Sequence, residues 1–324
     1  MAEPVDDQTY RVRGRATVRM WRIYLGFLRV FGRLPLYVSM LVTTAVYTLR
    51  SSDARHGLEA YLDRVFPHDP RWLRLVRIYR TFFNYSLCIV DRFVALDRGG
   101  KAFRIRRENT AALQDLLVGQ GGFVVLTTHC GNPELIGAAM HGLSAVDKRV
   151  HIVRYVSKDD PYVQVVEGLE SPHAPSIISL NAGKDMASLK VIRALRDGAV
   201  AAFLADRPVD DRIVRAPFLG DDVSLPLGPW LVASLARVPV VLLTCFKEGP
   251  FTYRLLVSDP VDVQIQDRRQ RNEELAVHVR AFAARLEGWV RRYPYQFYNF
   301  YDVWDEDGAR RAAESYRPAA ERPD

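Results

Sequence analysis

The stretch Gly122-Phe123-Val124-Val125-Leu126-Thr127, running on through Thr128-His129-Cys130-Gly131 into Asn132-Pro133-Glu134, decides the class of fold. Its first half is a short apolar run rich in β-branched residues that follows a Gly-Gln-Gly-Gly turn. That pattern is expected of a strand buried on both faces of a parallel sheet. Its second half starts a helix. Asn132 is a strong N-cap residue, Pro133 suits the first helical position because its missing N–H would be unpaired there, and Glu134 places negative charge in the first turn. A buried strand that passes directly into a helix is the repeating unit of α/β proteins, and ligands bind at the carboxyl ends of such strands.

His129 and Glu134 straddle this junction. On one continuous helix, residues five apart point about 140° away from each other. With His129 on the loop and Glu134 in the first turn, the carboxylate can hold one imidazole nitrogen and leave the other to take a proton. The plain alternative is a surface histidine near a helix-dipole carboxylate. Cys130 offers a thiol nucleophile beside His129, but neighbouring residues at a strand end tend to point apart, and an inert loop cysteine is its alternative.

Further blocks follow in order. His151-Ile152-Val153-Arg154-Tyr155 precedes Asp160-Pro161-Tyr162. Asn181-Ala182-Gly183-Lys184 leads into a helical stretch and then Ala199 to Pro208, which contains Asp206 and Arg207. Val214-Arg215-Ala216-Pro217-Phe218-Leu219-Gly220 precedes a helix and the strand-like Val238 to Leu243. The whole series, over roughly residues 34–304, resembles the bacterial lipid A late acyltransferases of the lysophospholipid acyltransferase superfamily. His129, Gly131, Asn132 and Glu134 match their HxxxxE signature, His-x-Gly-Asn-Trp-Glu, while Pro133 stands in the place of the Trp and Cys130 where a larger apolar residue is common. The Tyr298-Asn299-Phe300-Tyr301-Asp302-Val303-Trp304 tail resembles a subgroup associated with aryl-polyene and related lipid pathways.

The resemblance implies a membrane-associated O-acyltransferase. His129 would be the general base oriented by Glu134, and Asn132, Arg154, Lys184 and Arg207 would contact substrate. For Arg207 the alternative is a structural ion pair with Asp206; for Lys184 it is a solvated cation. The acyl donor would be an acyl carrier protein, with acyl-CoA as the alternative, and the acceptor a hydroxyl of a lipid or glycolipid. No further cofactor and no metal is expected, and the place of action would be the cytoplasmic face of the inner membrane. Two other classes stay open: a lipid-binding protein without activity, and a thioesterase or hydrolase that uses Cys130 or a water activated by His129.

Composition sets the frame. The chain has 324 residues, 48% hydrophobic and 26% charged, enough for one large α/β core. Its three cysteines are widely spaced and form no CxxC pair, which argues against a disulfide framework or a zinc site. The net charge of +7 is unevenly spread: residues 1–107 hold 20 Lys plus Arg against 9 Asp plus Glu. No acid lies between Gln8 and Ser52, where eight arginines are interleaved with Trp21, Tyr24, Phe27, Phe31 and Tyr37. Such mixing favours an anionic membrane surface. The absence of zinc-finger spacing, RNP sequence or helix-turn-helix pattern argues against nucleic acid. The uncharged run Leu34 to Leu49 has 16 residues and contains Pro35, so a monotopic helix is expected ahead of a single span, and a helix packed on the catalytic domain is the alternative.

The expected fold is α/β: a single acyltransferase domain with a mostly parallel central sheet flanked by helices, plus an N-terminal basic, membrane-associating helical region. The boundaries are 1–98 for that region, 99–304 for the core and 305–324 for a frayed tail. Helices are expected over Arg15 to Leu49 with a break near Pro35, Ala54 to Val65, Arg71 to Val94 and Arg269 to Tyr293. Strands are expected near 122–127, 150–155, 199–205, 239–245 and 252–257. The row Arg71, Arg74, Arg77 and Arg80 reads as a solvated face or a second contact with lipid head groups.

Overall fold

The computed structural model describes residues 18–140, 143, 148–155, 176–180, 184–208 and 211–305. At its centre lies β2 (Phe123–Thr127), buried along its whole length as its composition requires. It pairs in parallel with β5 (Val200–Leu204) on one side and β8 (Val240–Gly249) on the other. Beyond β5 come β3 (Val150–Arg154) and β4 (Ser176–Ser179), also parallel. Beyond β8, the chain turns back at Pro250 and Phe251 into antiparallel β9 (Thr252–Val257), which pairs with β1 (Arg104–Glu108). The seven strands therefore run β1-β9-β8-β2-β5-β3-β4.

Alternate side chains of β2 point to opposite faces and so enter two separate cores. Val124 and Leu126 pack with residues of α7 (Lys184–Arg196), α8 (Gly228–Ala236) and α9 (Arg271–Arg292). Phe123 and Val125 pack with residues of α1 (Val18–Phe31), α2 (Arg33–Arg50), α5 (Ala111–Val118), α6 (Leu135–Met140) and the second half of α4 (Arg71–Arg98). The short helix α3 (Ser52–Val65) and the first half of α4 contribute Leu58, Tyr61, Leu62, Ile78 and Phe82 to the first core. The N-terminal helices thus share their cores with the sheet, and no packing break falls at residue 98.

A buried polar knot secures that union. Asp91 on α4, 0% exposed, accepts hydrogen bonds from Tyr37 of α2, from Lys247 of β8 at 2.5 Å and from Tyr253 of β9 at 2.5 Å. A buried carboxylate is costly unless paired in this way.

Several expectations need correction. The break in the first long helix falls at Gly32, whose φ of 76° suits glycine, and Pro35 sits in the first turn of α2, where a missing N–H costs nothing. Residues 15–17 lie outside the described residues. Strands β1 and β4 and the hairpin of β6 (Ile213–Phe218) with β7 (Asp221–Pro226) were not expected. Strand β6 ends in a two-residue turn in which Leu219 and Gly220 both have positive φ, as type I′ turns demand. Three members of the arginine row on α4 have partners within the fold. Arg74 pairs with Asp63 at 2.6 Å, Arg77 binds Asp69 and Tyr295, and Arg80 lies over the Tyr295 ring. The blocks Asp160 to Tyr162 and Asn181 to Gly183 lie outside the described residues.

Candidate active site

The register of the central strands builds the site. Thr127 of β2 lies opposite Leu204 of β5, so positions two residues further on, His129 and Asp206, emerge abreast at the carboxyl edge of the sheet. His129 Nδ1 stands 2.9 Å from Asp206 Oδ1, and the His129 backbone N–H donates to Asp206 Oδ2 at 3.0 Å. One carboxylate thereby fixes both the ring and the peptide of the histidine. The amide of Asn299 donates to Asp206 Oδ2 at 2.8 Å, and Arg207 Nε donates to Asn299 Oδ1 at 2.5 Å.

Asp206 is 5% exposed, whereas 26% of the His129 side chain remains accessible. With Nδ1 engaged by the carboxylate, Nε2 is the ring nitrogen left without that partner. Burial lowers the His129 pKa from its usual 6.5, and the Arg207 charge lowers it further, against the opposing influence of Asp206. Burial alone would raise the Asp206 carboxyl; the His129 ring, the Arg207 charge and the Asn299 amide outweigh it and hold the pKa at about 2. At neutral pH the pair is therefore a neutral imidazole on an ionised carboxylate, the state a general base requires.

The loop that carries His129 is anchored by backbone. Gly131 and Asn132 donate their N–H groups to Gln296 O and Cys245 O, at 2.9 and 2.8 Å, and Tyr298 N–H binds His129 O at 2.8 Å. Only glycine fits at 131: φ is 63°, and an added Cβ would lie 2.3 Å from the Cys245 oxygen. The amides of residues 131 and 132 are thus spent on the fold.

Asn132 does not cap the helix either. Its side chain is 1% exposed and donates to Cys88 O at 3.1 Å, which ties the loop to α4, and α6 begins only at Leu135. Glu134 does not bind His129. Its Oε1 lies 2.7 Å from Arg92 Nη2 on α4, so the carboxylate expected to orient the ring serves a different partner. Its Oε2 and the Asn132 Oδ1 are buried and have no hydrogen-bond partner among the described residues.

Arg154 ends β3, one strand beyond β5 on the same sheet edge, with Nε directed to the Tyr155 carbonyl at 3.2 Å. Arg207 faces the segment after α9, donating to Tyr298 O at 3.3 Å and lying over the Tyr301 ring. Lys184 begins α7, and its side chain lies outside the described residues. A small pocket adjoins the pair, lined by Asp206, Phe218, Leu225, Leu286, Phe297 and Tyr301 among others. Its walls are mostly apolar, and its one charged group is the carboxylate that holds His129.

Sequence reasoning missed Asp206 as the partner of His129 and missed Asn299 altogether. The available signal for Asp206 was its position two residues past the end of a second strand, matching that of His129. Asn299 lies outside any helix or strand, and the resemblance of the Tyr298 to Trp304 segment was its one signal.

The model of the bacterial lipid A biosynthesis acyltransferase family matches residues 9–305. A search of the curated proteins matched none.

Proposed function

The chain belongs to the bacterial lipid A biosynthesis acyltransferase family, and on that premise we propose that it transfers a fatty acyl chain from an acyl thioester to a hydroxyl of a lipid or glycolipid acceptor. The observation that carries the mechanism is the His129–Asp206 pair at the sheet edge, where the His129 side chain stays partly exposed. His129 Nε2 takes the acceptor proton as the hydroxyl oxygen attacks the thioester carbonyl. Asp206 holds the Nδ1–H tautomer and stabilises the imidazolium that forms. As the tetrahedral intermediate collapses, the C–S bond breaks and the ring returns the proton to the leaving thiolate. Arg154 and Arg207, on the same edge, supply positive charge for the oxyanion and for phosphate groups of donor or acceptor. Glu134, held by Arg92, fixes the start of α6 beside the base. Acyl carrier protein is the donor we favour, and acyl-CoA would suit the same chemistry.

The acceptor is reached from a membrane surface. On α1, Ile23, Phe27, Val30 and Phe31 are exposed, and on α2 Leu34, Val38, Leu41, Val42, Val46 and Leu49 are exposed along one face. Val30 is 74%, Val42 70% and Leu49 69% exposed, which is far more apolar surface than a soluble helix presents to water. Trp72 (69%), Leu75 and Val76 at the start of α4 are exposed too. Among the described residues no helix is long and apolar enough to cross a membrane. We therefore favour attachment to the cytoplasmic face of the inner membrane by helices lying in the interface.

The test is acyl transfer from an acyl thioester to membrane lipid by the purified chain, followed by mass spectrometry. We expect acylated lipid with the wild type and none with His129→Ala, whose circular dichroism stays unchanged. Full transfer by His129→Ala would refute the assignment of the base. Free fatty acid in place of acylated lipid would favour the hydrolase.

A further inference from the structure

Where α1 meets α2, a pocket of about 250 Å³ opens between Leu28, Arg33, Val94, Arg98, Lys101 and Ala102. Three of its six lining residues are cations. We propose that this pocket binds the phosphate of an anionic phospholipid drawn from the bilayer on which α1 and α2 lie. The proposal rests on the membrane-facing reading of those two helices.

Arg33 is the core of the argument. Its guanidinium lies over the rings of Phe251 and Phe103, 4.0 and 4.9 Å from their centroids, and Nη2 donates to Ala102 O at 2.7 Å. Its Nη1 is buried with no hydrogen-bond partner among the described residues. The nearest acid to that nitrogen, Asp91, is 4.0 Å away, and its oxygens already accept from Tyr37, Lys247 and Tyr253. A buried charged donor without an acceptor is unfavourable, and a phosphate oxygen would satisfy it.

The surroundings are poor in competing acid. Arg98 Nε is 3.7 Å from Asp97, but Arg29 holds that same carboxylate at 2.9 Å. Lys101 has no acidic partner among the described residues. Three cations thus line the pocket, and the two nearby carboxylates, Asp91 and Asp97, are both engaged by other donors, which leaves a positive site that a singly or doubly charged phosphate complements.

The rim identifies the source of the phosphate. Val30, Phe31 and Leu34 flank the helix junction and are 74%, 62% and 56% exposed. A headgroup seated among Arg33, Arg98 and Lys101 leaves its acyl chains beside these side chains. A free phosphate or an acidic peptide would gain nothing from an apolar rim.

The experiment uses the full chain and two kinds of vesicle, phosphatidylcholine alone and phosphatidylcholine mixed with phosphatidic acid. The variant R98Q/K101Q removes two exposed cations of the pocket, and R50Q/R71Q removes two exposed arginines elsewhere. Wild type is expected to prefer the phosphatidic acid vesicles. The pocket variant should lose at least about tenfold more of that preference than the control does, since it loses directed contacts as well as net charge. Its binding to phosphatidylcholine vesicles should be unchanged.

Equal losses in the two double variants would overturn the pocket while leaving the membrane reading intact. Failure of the wild type to bind either vesicle would overturn the membrane reading. Protection against thermal unfolding by soluble glycerol phosphate, without any preference among vesicles, would overturn the lipid as the source.

Discussion

Arg92 Nη2 lies 2.7 Å from Glu134 Oε1, and this contact turns the acidic residue of the motif toward α4. His129 takes its carboxylate from Asp206, 77 residues away in the chain, through contacts at both its ring and its backbone. The two conspicuous residues of one loop thus have separate partners on separate elements.

Asp206→Asn is expected to lower kcat for acyl transfer by about 10³–10⁴, because the amide can hold the wrong imidazole tautomer and cannot stabilise the imidazolium. Glu134→Gln, which weakens an ion pair beside the site, is expected to cost less. Steady-state rates of the two variants, compared with their circular dichroism, decide the order. A larger loss in Glu134→Gln would return the orienting role to the motif carboxylate.

Burial and the Arg207 charge lower the His129 pKa below 6.5, so kcat/KM should remain high on descending through 6.5 and fall only at more acidic pH. Arg207→Gln removes one of the depressing influences and should move this acid limb upward toward 6.5. A limb already centred above 6.5 in the wild type would contradict the burial of the base.

Stability should follow Asp206 in acid. Its carboxyl is held at about 2 against an ordinary 3.8, so its contribution is fully present above 3.8 and is lost as pH falls through 2. That difference corresponds to about 2 kcal/mol. Urea titrations of wild type and Asp206→Asn across this range should converge as pH falls.

Asp91→Asn leaves Lys247, whose side chain is 6% exposed, without its counter-charge in the core. The expected loss is about 3–5 kcal/mol of folding stability, seen as a lower urea midpoint. An unchanged midpoint would show that the knot joining α2, α4 and the sheet carries little energy.

Cys130→Ser should keep transfer activity within about threefold. The thiol is 0% exposed and burial pushes its pKa up, the reverse of what a nucleophilic cysteine needs. Loss of activity with preserved folding would favour the thiol hydrolase.

Much of this architecture was legible in local pattern. The apolar run at 123–127 could be read as a buried strand that gives way to a loop at His129. The pairing of β2 with β5 brings His129 to Asp206, and no local pattern encodes that register. Strand β1, Arg-Ile-Arg-Arg-Glu, lies at the sheet edge with charged side chains and has no apolar run to reveal it. The turn at Leu219 and Gly220 puts a bulky residue at positive φ, where sequence rules expect Asn or Gly. The first helix breaks at Gly32, where backbone freedom outweighed the more obvious signal of Pro35.

The bonds from Gln296, Tyr298 and Asn299 give the site a timetable. Ribosomal synthesis produces His129 and Asp206 early, but the amide that steadies Asp206 arrives 93 residues after it. Helices α1 and α2, with their exposed apolar side chains, emerge before either. The loop of His129 therefore gains its last hydrogen bonds only after residues 296–299 have been made.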